Sequence, residues 1–161
     1  MEAFLGKVQE RLKKEGFGCQ ENVADGEPFL LVAHRSRVEL AKFGSNVDTF
    51  FFFAHFPSLT NSELRAYSGR CFNHALHARG LRPPRGLFEA VFSYAVALVD
   101  RAADETIEAV RNDPTPKHWS AAEIQVVYDL ASEKLFYFEK TPFWGAFYHD
   151  GIRKAIRRLL V

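Results

Sequence analysis

The residue types in this chain that could do chemistry are histidine, arginine, cysteine and the large aromatics, and they fall into three groups. His74 and His77 stand three apart, and His55 precedes them. An i, i+3 pair on a helix reaches one ion, and a third histidine would complete a catalytic-type set. However, helical register turns His74 toward a buried side and His77 onto a flank. No Asp or Glu of that helix joins them at ligand spacing, so we assign no metal and no cofactor. Cys71 stands three residues before His74, but that spacing rarely aligns a thiol with an imidazole, and the helix N-terminus that would activate it is distant.

The second group is basic. Arg65, Arg70, Arg79, Arg82 and Arg85 occur between Glu63 and Glu89. A guanidinium suits bidentate contacts to phosphate or carboxylate. With His55 and His74, the residues Arg65, Arg70, Arg79 and Arg85 form a candidate site for an anionic ligand, either nucleic acid or a phosphoester processed beside a metal. Arg153, Lys154, Arg157 and Arg158 add a second cationic face. Solvated helix faces account for both groups more simply, and cations near a helix C-terminus are favoured by the macrodipole.

The third group is aromatic: Phe136-Tyr137-Phe138, then Phe143-Trp144 and Tyr148-His149, with Trp119 upstream. A strand cannot hide every one of these rings on one face, and Thr141-Pro142 and Gly145 mark an irregular connection. Trp and Tyr are enriched at interface hot spots. Trp119, Phe143, Trp144, Tyr148 and His149 are therefore the candidate partner-binding residues. No phosphate-binding glycine loop and no nucleophile elbow accompanies them. We expect a non-catalytic interaction or adaptor module that binds a protein partner or a second copy of itself as a homodimer. Nucleic acid is the disfavoured alternative.

Composition narrows the field. The chain has 161 residues, within the range of one domain over 1–161, and 47% are hydrophobic, which excludes disorder. The 21 Lys and Arg against 20 Asp and Glu leave a charge of +1, without the basic excess of a non-specific nucleic-acid binder. No stretch approaches ~18 uncharged apolar residues, so no membrane span is expected. The charged start lacks the apolar core of a secretory signal, and the two cysteines form no framework, which together point to cytoplasm.

The elements that must position these groups are organised around Phe50-Phe51-Phe52-Phe53. Successive strand side chains point to opposite faces, so this run predicts an interior strand sheltered on both sides. A helix is expected over 2–15, ended by Gly16. The polar stretch up to Pro28 reads as a loop. Strands are expected over 29–33, 38–43 and 47–55, with turns at Arg35-Ser36-Arg37 and Gly44-Ser45-Asn46. Thr60-Asn61-Ser62-Glu63 is a capping box opening a helix to Arg79. A strand follows over 87–99, a helix over 100–111, strands over 124–130 and 134–139, and a helix over 147–160. The fold class is α+β, a mainly antiparallel five- to six-stranded sheet in the order α-β-β-β-α-β-α-β-β-α with helices on its faces.

The first six elements resemble, in order, the restriction-endonuclease-like nucleases. That resemblance implies a carboxylate on one strand and an acid-x-Lys pair on the next, holding a divalent cation beside the scissile phosphate. The matching strand here begins Asp48-Thr49-Phe50 and offers no such pair, while Glu39 and Lys42 would face opposite sides. The full order, with one helix inserted, is also similar to small dimeric chaperones that present a sheet and helices to an unfolded client.

Overall fold

A computed structural model of the chain describes residues 1–24, 28–39, 45–79, 89–114, 116–140 and 146–161. The order is α1 (Glu2–Lys14), β1 (Gly18–Ala24), β2 (Pro28–Glu39), β3 (Ser45–Phe56), α2 (Asn61–Ala78), β4 (Glu89–Val99), α3 (Asp104–Asn112), β5 (Lys117–His118), β6 (Ala121–Asp129), β7 (Lys134–Tyr137) and α4 (Ala146–Leu160). The strands form one sheet in the order β1-β2-β3-β4-β6-β5, with β7 also paired to β6. β5 meets β6 at Ala121 and Ala122, whereas β7 meets it at Val126–Asp129. The two share one edge of β6 at opposite ends, so the sheet is six strands wide.

The class is α+β as expected, and the sheet, mainly antiparallel by its pairings, is mixed rather than purely antiparallel. β3–β4 and β4–β6 run parallel, and the outer pairings are antiparallel. Parallel neighbours need a crossover long enough to carry the chain back. α2 makes that crossover between β3 and β4, and α3 lies on the way from β4 to β6.

The phenylalanine run sits where both faces are covered. Phe50 is 2% exposed, and Phe51, Phe52 and Phe53 are 0% exposed. Phe51 and Phe53 join Val8 and Leu12 of α1 and Ile156 and Leu159 of α4 in one core. Phe50 and Phe52 join Leu64, Tyr67 and Ala75 of α2 and Val110 of α3 in the other. β4 is buried along nearly its whole length. It turns the small side chains of Ala95 and Ala97 toward α2 and the bulkier Tyr94, Val96 and Leu98 away. The Tyr67 hydroxyl, which would otherwise be a buried orphan, donates to the Phe52 carbonyl at 3.1 Å.

Local signals set the helix ends. At α1 the Phe17 N–H donates to the Leu12 carbonyl and the Gly16 N–H to that of Lys13. Gly16 has φ of 81°, the left-handed cap that a residue without Cβ adopts at little cost. At α2 the Thr60 hydroxyl accepts from the Glu63 N–H at 3.3 Å, and the Glu63 carboxylate accepts from the Thr60 N–H at 2.8 Å. The proposed stop of α2 at Gly80 and Pro83-Pro84 falls outside the described residues.

Two expectations near the N-terminus are corrected. The stretch read as a polar loop contains β1, and the supposed turn at Arg35-Ser36-Arg37 is the middle of one long strand, β2. β1 is an edge strand whose Gln20, Glu21 and Asn22 face solvent, so no apolar alternation marks it. Its ladder with β2 pairs Glu21 with Leu31 and Val23 with Phe29, passing over Asn22, which has φ of 51°. In β2 the polar residues run where the ribbon extends past the helical layers. Ser36, Arg37 and Val38 are exposed, yet they pair with Asp48, Val47 and Asn46. Ser45 and Asn46, expected in a turn, already belong to β3, while Gly44 lies outside the described residues. α3 begins at Asp104 rather than at Asp100, whose carboxylate instead meets His55.

Phe52→Ala should cost about 4 kcal/mol, the usual penalty for emptying a fully buried aromatic site, read as a lower denaturant midpoint with m unchanged. Thr60→Ala should cost about 1 kcal/mol through the lost cap. The Thr60 hydroxyl, and then its backbone N–H, hold the Glu63 carboxyl below the usual glutamate range. A depressed carboxylate stabilises above its unfolded value and loses that contribution as pH falls through the folded one. The gap between the parent and Thr60→Ala should therefore narrow on acidification below the glutamate range; an unchanged gap would separate the cap from Glu63.

Candidate functional site

The amino ends of the parallel strands β3, β4 and β6 lie together, because Asn46 is in register with Glu89 and Val91 with Ala121. Three pairs of described elements come together there: β2 with β3, the C-terminal end of α2 with the start of β4, and β5 with β6. Each is joined by one acid and one base on the α2 side of the sheet.

At the first, His34 Nε2 lies 3.0 Å from Asp48 Oδ1, with the carboxylate side chain 0% exposed. The imidazole stacks on Phe50 at 4.1 Å. At the second, an Arg79 guanidinium nitrogen lies 3.1 Å from the Glu89 carboxylate, with side-chain exposures of 7% and 10%. At the third, His118 Nε2 lies 3.1 Å from Glu123 Oε2. The His118 ring stacks on Phe72 of α2 at 4.1 Å. A carboxylate taken out of water needs such a partner, since its desolvation is otherwise uncompensated. These pairs thus tie β2 to β3, the end of α2 to β4, and β5 to β6 at that end of the sheet.

The third pair carries an exposed ring. His118 pairs with Ala121, so Trp119 and Ser120 form a two-residue turn. Ser120 has φ of 49°, and its carbonyl accepts from the Val91 N–H at 3.1 Å, tying the turn to β4. Trp119 at the tip is 77% exposed.

The residues singled out from sequence distribute as follows. Trp119 is in the site. Phe143 and Trp144 lie outside the described residues, as does the side chain of Tyr148, although its backbone lies in the first turn of α4. His149 packs on Phe138 with ring centroids 5.6 Å apart. Burial, and then Arg153, hold His149 below the usual histidine range, so its ring is neutral at pH 7. Trp119 and His149 are not neighbours along the edge. Phe138 follows the Val126–Tyr137 pair, about 13 Å of strand from the residues that meet β5.

The cations chosen for an anionic ligand are spread out and engaged. His55 meets Asp100 at 2.7 Å at the opposite end of the sheet. Arg65 binds Asp113 at 2.9 Å on the surface, Arg79 is in the second pair, Arg70 is exposed on α2, and Arg85 lies outside the described residues. His74 faces Phe29 and Phe52 edge-on. On α4, Arg153 donates to the Glu139 carbonyl, Lys154 binds Asp150, Arg157 donates to the Tyr137 hydroxyl and Arg158 binds Glu15. Arg153, Arg157 and Arg158 tie α4 to Glu139 just beyond β7, to the end of β7 and to the C-terminal end of α1, while the Lys154 pair lies within α4. Among the described residues, no group of three or more His, Cys, Asp or Glu side chains could hold a metal ion.

Compared with known proteins, the chain matches no family model, no curated protein and no solved structure. The site therefore rests on its own geometry.

Sequence reasoning overlooked the carboxylates Asp48, Glu89 and Glu123 as site residues. One signal was present. Asp48 stands two residues before Phe50, so strand alternation turns its charge inward, where a carboxylate requires a base, whereas Glu123 shares phase with Gln125 and carries no such mark.

Replacing one member of the most buried pair tests its role. Arg79→Met should destabilise by about 3 kcal/mol, because Glu89 stays buried without its base. Adding Glu89→Leu should recover most of that loss in denaturant unfolding. Additive losses would show that the pair does not act as a unit.

Proposed function

We propose that this protein is a non-catalytic interaction module that docks a protein partner, or a second copy of itself, through the end of the sheet bearing the Trp119 hairpin. The observation that carries this reading is a tryptophan 77% exposed on a turn fixed from both sides. Exposing a large indole leaves apolar area in water, and a backbone turn already fixed loses little entropy when a partner covers it. The neighbouring acid–base pairs support the reading, since they tie together the described elements at that end of the sheet. The cations considered for an anionic ligand support it from the other side. Arg65, Arg79 and His55 are each occupied by a carboxylate of the same chain.

No helix among the described residues is long and apolar enough to cross a membrane. Cys19 and Cys71 are not joined in a disulfide, which suits a reducing compartment, and we propose a cytoplasmic location.

Trp119→Ala supplies the test. The substitution should change stability by no more than about 0.5 kcal/mol, as expected for an exposed side chain. Self-association read by light scattering across concentration, or affinity for a protein partner captured by the immobilised chain, should fall about 30-fold, the effect of losing a ~2 kcal/mol anchor. A strict monomer whose partner binding is the same with and without Trp119 would overturn the proposal. Steeply salt-dependent binding to DNA or RNA, unaffected by Trp119→Ala, would replace it with the nucleic-acid reading.

A further inference from the structure

We draw no further inference here: the strongest candidate, the imidazole–carboxylate pair of His34 and Asp48 at the foot of the β2–β3 hairpin, belongs to the site already described, and nothing in the structure shows what ligand its half-exposed ring would meet.

Discussion

Four consecutive phenylalanines cannot be half-buried. Two benzyl groups leave each side of β3, so each side of the sheet must carry its own apolar layer. α1 and α4 satisfy that demand on one face, α2 and α3 on the other. The demand also places β3 in the interior, with β2 on one flank and β4 on the other. The ring contacts follow: Phe51 stacks on Tyr94 at 4.2 Å, and Phe52 sits 5.0 Å from Phe29. The polar end of the sheet is where this arrangement stops. Past Phe50 the same ribbon carries Asp48 and then Asn46, and the packing gives way to acid–base pairs.

Much of this was legible because the relevant physics is local. The Thr60–Glu63 box needs only four residues, the stop at Gly16 needs one without a Cβ, and the two-faced burial of Phe50–Phe53 follows from strand geometry. What failed depended on neighbours. β1 is polar because it borders solvent, so its strand character comes from pairing with β2 and not from its own side chains. The Arg35-Ser36-Arg37 stretch looks like a turn until its partners Thr49, Asp48 and Val47 are known. The parallel arrangement could have been anticipated. A helix as long as α2 between two strands returns the chain to the starting end, and the next strand then runs alongside the last.

The site was legible only in part. Trp119 stood out by residue type, but its exposure depends on a turn that the sequence Trp-Ser does not announce, because neither residue favours a positive φ. The acid–base pairs join residues separated by 14, 10 and 5 positions, and only strand pairing and the docking of α2 bring them together. The arginines illustrate the opposite error. Their density along the sequence suggested a common surface, whereas the fold sends Arg65 to Asp113 and Arg79 to Glu89.

The left-handed residue in β1 has a consequence for molecules that crowd together. A bare border strand is an invitation to add another strand, and repeated additions build fibres. Asn22 breaks the repeat of hydrogen-bonding groups along that border, so an incoming chain finds no straight run to copy. Unwanted stacking is thereby discouraged along the β1 flank.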